Sequence, residues 1–101
     1  MAVQFARPMH PGEYLLEEYL VPLERSAGQL AKALGLPRTR IERIVKQEVG
    51  ISTDTALRLG RFFRTTPGCW LNLQRAYDVE TQSARLSVQL DRIEPYTPRA
   101  A

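Results

Sequence analysis

The stretch Ala27–Lys46 reads AGQLAKALGLPRTRIERIVK, and its pattern decides the fold. Leu30, Ala31 and Leu34 fall on one face of a helix, because positions i, i+1 and i+4 lie close together around a helix axis. Gly35 follows them, at a point where a chain leaving a helix often adopts a positive φ. The first half of the stretch therefore predicts an amphipathic helix that ends in a tight turn.

The second half of the stretch predicts a shorter helix with two different sides. Ile41, Ile44 and Val45 share the inner side. The outer side carries basic and hydrogen-bonding side chains: Arg38, Thr39, Arg40, Arg43 and Lys46. In a helix-turn-helix, such side chains on the second helix enter the major groove, where they contact base edges and phosphates. The stretch therefore predicts an interface for double-stranded DNA.

The length and composition fit one domain. The chain has 101 residues, of which 44% are hydrophobic, enough for a core. It has no apolar run of the roughly 18 residues that a membrane span needs, and its N-terminus lacks a secretory pattern. Cys69 is the only cysteine and cannot form an internal disulfide, so we expect a buried thiol in a cytoplasmic protein.

Positive charge is concentrated in the predicted helix-turn-helix. Residues 1–24 carry a net charge of −3, residues 25–46 carry +5 and residues 47–101 carry +1, for a total of +3. A positive excess at this place suits contact with phosphates. The alternative interpretation is an ordinary solvated helix face.

Capping signals indicate where the other helices begin. Side chains that can cap a helix precede four helical patterns: His10, Ser26, Ser52 and Thr66. Leu86, Leu90 and Ile93 recur at helical spacing, with a strand as the alternative. The pattern predicts an all-α chain of about five to six short helices: a flexible arm over 1–9, a helix-turn-helix domain over 10–78, a C-terminal helix with an expected dimer contact over 79–94, and a flexible tail over 95–101.

Three blocks resemble the HigA/VapI-type antitoxins of bacterial toxin–antitoxin modules, within the lambda-repressor-like, or XRE, helix-turn-helix class. The blocks are HPGE with LLEE over 10–18, TxxALRLxxFF over 53–63 and TPxxWLNLQxxYD over 66–78. The resemblance implies a lambda-repressor-like fold and a homodimer that is not an enzyme. It also implies that the protein binds its own operator DNA, represses its operon and neutralises a small basic RelE/HigB-like ribonuclease toxin.

The resemblance also implies roles for individual residues. By position, it implies base contacts from Arg38, Thr39 and Arg43, and contacts nearer the DNA backbone from Gln29, Arg40 and Lys46. Each has a plainer alternative: the two base-contacting arginines could pair with Glu42 or Glu48, and the threonine could cap its helix.

Two further sets of side chains have open interpretations. Acidic residues on the first helix either meet the basic toxin or are solvated charge: Glu13, Glu17 and Glu18. Large apolar residues of the C-terminal half are expected in the core or at the dimer interface: Trp70, Leu73 and Leu86. His10 is the only histidine and has no partners at ligand spacing, so we expect no metal and no cofactor.

Two other functions fit the same residues. One is a stand-alone XRE-type transcriptional repressor that has no toxin partner. The other is a protein-interaction module whose basic helix binds an acidic protein. No glycine-rich phosphate loop or catalytic triad is visible in the sequence.

Overall fold

The computed structural model describes residues 7–99, and its regular elements over that range are all helices. They are α1 (Pro11–Leu15), which continues directly into a π-helical turn (Leu16–Leu20), then α2 (Ala27–Leu34), α3 (Arg38–Val45), α4 (Thr53–Phe63), α5 (Pro67–Arg85) and α6 (Ser87–Asp91). The predicted all-α class is confirmed. Between residues 7 and 99, no helix combines the length and apolar character that crossing a membrane requires.

The capping signals act as the sequence predicts. Ser26 and Gln29 form a capping box, in which Ser26 Oγ accepts from the Gln29 backbone N–H and Gln29 Oε1 accepts from the Ser26 backbone N–H. The side chains of His10, Ser52 and Thr66 accept backbone N–H bonds at the starts of α1, α4 and α5. The starts of α1, α2, α4 and α5 are therefore each fixed by a local hydrogen bond that satisfies an otherwise unpaired donor.

One hydrophobic core joins the helices. Its buried members come from every element except α6: Leu15, Leu20, Leu30, Ala31, Leu34, Ile41, Ile44, Ile51, Ala56, Leu59 and Trp70. α2 packs on α3, α4 packs on α5, and α1 contacts both α3 and α5. The inner faces predicted for α2 and α3 therefore hold the two helices against a common centre.

Trp70 and Cys69 are neighbours in α5 but have different environments. Trp70 is fully buried among Tyr14 and Tyr19, and its indole N–H donates to Thr65 Oγ1 at 2.8 Å. Of the two expected roles of Trp70, core or dimer interface, the structure shows the core, because its ring has no surface to offer a partner. The expected burial of Cys69 is wrong: the thiol side chain is exposed, since neighbouring residues of a helix point about 100° apart.

The C-terminal boundary also differs. α5 runs without a break through residue 78 to Arg85, so residues 79–94 comprise the end of α5 and the short α6. No proline or glycine lies between Gly68 and Arg85, which explains why the helix continues past residue 78.

The two ends of the chain were expected to be flexible. Arg7 donates to both carboxylate oxygens of Glu13, at 2.7 and 2.9 Å, so this part of the predicted arm is held to α1. Residues 1–6 of the arm and residues 100–101 of the tail lie outside the described residues.

Candidate nucleic-acid interface

The exposed side of α3 presents polar side chains in three rows. Ile41 and Ile44 point into the core. At roughly 100° per residue, Thr39, Arg43 and Lys46 lie opposite them and face solvent. This row is the part of α3 that projects furthest from the core. It is flanked on the α2 side by Arg38 and Glu42, and on the α4 side by Arg40.

On the α2 side, Arg38 lies against the start of the neighbouring helix. A β-carbon on Gly28 would stand 3.4 Å from Arg38 Cδ, and Arg38 Nε donates to Glu42 Oε2 at 2.8 Å. These residues line a groove of about 450 Å³ together with Gln29 and Lys32. The structure therefore brings two predicted contact residues together, Gln29 and Arg38, and adds Lys32, which sequence reasoning did not assign.

The side-chain oxygen of Gln29 is already hydrogen-bonded within the protein. Its oxygen accepts from Ser26 in the capping box, so its amide nitrogen is the group able to donate to a ligand. The site lies at the N-terminus of α2, where unpaired backbone N–H groups and the helix dipole favour an anion.

On the α4 side, Thr39 and Arg43 line a second groove, of about 430 Å³. Pro37 is the N-cap of α3 and no side chain caps this helix, so Thr39 is left to face the groove. The alternative role of Thr39 as a cap is therefore not seen. Arg40 lies in the same groove and pairs with Asp54, with Arg40 Nη1 3.1 Å from Asp54 Oδ2.

Each arginine of α3 has a carboxylate partner in the free protein. Arg38 pairs with Glu42 at 2.8 Å, Arg40 with Asp54 at 3.1 Å, and Arg43 with Glu48 at 3.6 Å. The alternative in which Arg38 pairs with Glu42 and Arg43 pairs with Glu48 is therefore also seen. All three arginines are more than two-fifths exposed, and exposed pairs are worth at most about 1 kcal/mol, so each guanidinium is accessible to a phosphate or a base.

The loop that follows α3 is held by α5. Gln74 Oε1 accepts from the Ile51 backbone N–H at 2.7 Å, and Gln74 Nε2 donates to Asp78 Oδ1 at 3.0 Å. A β-carbon on Gly50 would stand 2.7 Å from Gln74 Oε1, so a side chain at this position would displace the Gln74 amide. Gln74 belongs to the family block over 66–78, but local spacing does not predict a hydrogen bond between residues 23 positions apart.

The acidic residues of the first helix are not equivalent. Glu17 and Glu18 are exposed on the π-helical turn. Glu13 is engaged by Arg7, and this hydrogen bond lowers the pKa of the Glu13 carboxyl. Two of the three carboxylates proposed for a basic partner therefore lie open on this surface.

His10 caps the start of α1. It is buried, its Nδ1 accepts from the Gly12 backbone N–H at 2.9 Å, and its ring meets the Tyr77 ring edge-on at 4.9 Å. Burial lowers the pKa of His10. Within residues 7–99, no three histidine, cysteine or acidic side chains are grouped so as to hold a metal ion.

Comparisons with known proteins identify the family. No protein-family model matches the sequence. Virulence-associated protein I of Dichelobacter nodosus is 53% identical over 72 residues, which are 71% of this chain and 67% of that protein. The solved structure of the Pseudomonas aeruginosa antitoxin HigA with the higBA promoter is 41% identical and has a TM-score of 0.87, covering 90% of this chain and 100% of that one.

A second solved structure is of antitoxin GraA in complex with its operator. It is 35% identical and has a TM-score of 0.86, covering 97% of this chain and 100% of the GraA chain. The identities and the coverage confirm the resemblance that the three sequence blocks indicate. This chain belongs to the HigA/VapI family of helix-turn-helix antitoxins.

Proposed function

We propose that this protein is a DNA-binding antitoxin that binds the operator of its own operon and represses transcription. The observation that carries the proposal is the exposed row of Thr39, Arg43 and Lys46 on a helix whose opposite side is buried in the core. Relatives solved with promoter or operator DNA support it. A protein with this task works in the cytoplasm and catalyses no reaction.

In this proposal, α3 lies in the major groove. Arg38 and Arg43 leave their carboxylates to donate two hydrogen bonds each to guanine, and Thr39 contacts a neighbouring base. Arg40, Lys46 and Gln29 contact the phosphate backbone and set the register. Lys32 lies in the groove beside Gln29, which suits the same phosphate.

In this proposal the protein binds the operator as a homodimer. The C-terminal apolar surface consists of exposed side chains on α5, on α6 and just after α6: Val79, Leu86, Val88, Leu90 and Ile93. Part of this surface is a groove of about 320 Å³. We assign the dimer contact to this surface, because a second copy would cover its apolar side chains. Leu73, the other leucine expected at the contact, is half-buried and packs against the core. A dimer places two α3 helices on half-sites about 34–36 Å apart.

The test of DNA binding is an electrophoretic mobility-shift titration. The probe is a duplex from immediately upstream of the gene, and the comparison is a scrambled duplex of equal length. We expect tighter binding to the upstream duplex, with affinity falling steeply as salt rises. Equal affinity for the two duplexes would overturn the repressor function. No binding at low salt would favour the protein-interaction module.

The antitoxin role requires a toxin, which we propose is a small basic ribonuclease encoded beside this gene. Membership of the HigA/VapI family supports this partner. The exposed Glu17 and Glu18 provide negative charge outside the DNA-facing row, which favours association with a cationic surface.

The toxin test is growth rescue. The neighbouring gene is expressed with and without this protein, and the two products are co-purified. We expect growth arrest by the neighbour alone and recovery together with a stable complex. If the neighbour is harmless alone, or no complex forms, the protein is a stand-alone repressor.

A further inference from the structure

We propose that Asp54 is a positioning residue for operator recognition, because it couples the recognition helix α3 to the body of the domain. The proposal rests on the DNA-binding function proposed above. Asp54 lies outside the helix-turn-helix and carries the same charge sign as DNA, so neither its position nor its charge suggests this task.

The carboxylate of Asp54 joins two helices. It lies in the first turn of α4, with Oδ2 3.1 Å from Arg40 Nη1 of α3. Both of its oxygens are 3.2 Å from Nε of Arg58, one turn further along α4. One acidic group is thus shared by an arginine of the DNA-facing surface and an arginine of the supporting helix.

Arg58 extends the connection to α2. Its Nη1 donates to the carbonyl oxygen of Leu34 at 2.8 Å and contacts that of Gly35 at 3.4 Å. These carbonyls end α2, where backbone acceptors lack partners inside the helix. We define the Asp54 network as Arg40, Asp54 and Arg58 with the carbonyls of Leu34 and Gly35. It joins α2, α3 and α4 at the turn of the helix-turn-helix.

The network constrains the direction of Arg40. A free arginine has many rotamers, and ordering it on DNA costs conformational entropy. Asp54 already holds Arg40 on the α4 side of the exposed row, where a phosphate contact sets the register of α3. Non-specific binding needs only positive charge, whereas specific binding needs that register. Loss of the Asp54 carboxylate should therefore affect the two kinds of binding differently.

The experiment measures both kinds of binding in the full chain. Asp54→Asn keeps the size of the side chain and removes its charge. Titrations use the upstream duplex and the scrambled duplex at the same salt concentration. We expect the ratio of the two affinities to fall about three- to fivefold, the size expected when a partly exposed ion pair is lost. Affinity for the scrambled duplex should stay equal or increase, because a negative charge near the phosphates is gone.

Glu24→Gln is the matched control, since it removes an exposed carboxylate from the turn that precedes α2. It should leave the affinity ratio at the wild-type value. In an Arg40→Ala background, Asp54→Asn should change the ratio no further, because its effect passes through Arg40. Asp54→Glu retains a carboxylate within reach of both arginines and should recover most of the ratio.

Several results would overturn the proposal. A purely electrostatic effect strengthens both affinities by the same factor, and a folding defect weakens both by the same factor, so an unchanged ratio rejects the positioning role. If Asp54→Asn lowers the affinity ratio in the Arg40→Ala background as much as it does in the wild-type protein, the effect of Asp54 does not depend on Arg40, and the proposal is wrong. If the wild-type protein does not distinguish the two duplexes, the DNA-binding function fails and the positioning role fails with it. Discrimination by wild type together with an unchanged mutant ratio rejects the role of Asp54 alone.

Discussion

Gly12 lies directly against the backbone of Ile44, because a β-carbon placed on Gly12 would overlap the Ile44 carbonyl oxygen. The first turn of α1 therefore rests on the last turn of α3, the helix proposed to read DNA. We predict that Gly12→Ala lowers the free energy of unfolding by about 1–3 kcal/mol, as overpacking a core usually does. Urea unfolding followed by circular dichroism measures the change.

Gly68→Ala is the matched control. Gly68 lies in the first turn of α5, and an added β-carbon there would be 3.9 Å from Thr66 Oγ1, an ordinary van der Waals contact. This substitution should stabilise the fold by about 0.4–1 kcal/mol, because alanine reduces the freedom of the unfolded chain. Equal effects at the two glycines would contradict the close approach at Gly12.

Mild acid should destabilise the domain through His10. Burial lowers the pKa of His10, against smaller raising effects from Asp78 and Glu13. The folded state then binds fewer protons at this site than the unfolded state. The stability that neutral His10 gives is complete above the unfolded pKa of about 6.5, and it is lost as the pH falls through the lower folded pKa. Protonation of Nδ1 would also remove the acceptor for the Gly12 N–H.

We therefore expect the Tm to fall between pH 7.5 and pH 5. His10→Asn keeps a side chain that can cap α1 but does not titrate in this range, so its Tm should change less with pH. His10 is the only histidine of the chain, which makes the comparison direct. Identical pH profiles for the two proteins would exclude His10 as the source.

Arg43→Ala should weaken binding to the operator by roughly 1–3 kcal/mol and relax the sequence preference at one base position. The side chain is exposed on α3 and its only close carboxylate within the described residues is Glu48, at 3.6 Å. The stability of the fold should hardly change. Mobility-shift titrations against a panel of single-base variants of the upstream duplex provide the measurement.

Arg75→Ala removes the same charge from an exposed position of α5 and serves as the control for Arg43→Ala. It should alter operator affinity little and base preference not at all. Wild-type base preference in Arg43→Ala would remove Arg43 from the set of base contacts.

Leu86→Asp should separate the proposed dimer. Leu86 is 36% exposed at the end of α5 and lies in the apolar groove with Leu90. A carboxylate buried between two chains loses its hydration without gaining a partner, which disfavours association. Sedimentation velocity at micromolar concentration should show monomers. Operator affinity should fall, because a monomer contacts only one half-site.

The corresponding control is Leu57→Asp on α4, where the leucine is 55% exposed and lies outside that groove. This variant should sediment like the wild-type protein. If Leu86→Asp stays dimeric, the interface lies elsewhere on the molecule.

Reversing the charges of Glu17 and Glu18 to lysine should slow association with the toxin and make the rate less dependent on salt. Both carboxylates are exposed, whereas Glu13 is already paired with Arg7. Operator binding should be retained. Stopped-flow or surface plasmon resonance kinetics with the co-purified partner test this, with Glu94→Lys as a control at the other end of the chain. Unchanged association rates would show that these charges do not guide the toxin.

The sequence predicted the features that depend on local spacing. The inner residues Leu30, Leu34, Ile41 and Ile44 are buried, because a 3.6-residue period identifies a helix face without knowledge of its neighbours. The positive φ of 71° at Gly35 followed from the same kind of local rule.

Features that depend on the assembled fold could not be predicted. The pairing of Arg40 with Asp54 spans 14 residues and forms only when α3 meets α4. The burial of Trp70 depends on Tyr14 and Tyr19, which come from the other end of the domain. The π-helical turn at Leu16–Leu20 keeps its apolar residues close to the spacing of an ordinary helix, so periodicity alone did not distinguish it.

Trp70 makes the chain an intrinsic fluorophore for its own unfolding. It is the only tryptophan, and its indole lies fully buried beside aromatic rings with its N–H bonded to Thr65. Emission from such an apolar site shifts to longer wavelength when water reaches the ring. Because Trp70 lies on neither α3 nor the C-terminal apolar surface, this spectral shift distinguishes a variant that has lost its fold from one that has lost only a binding partner.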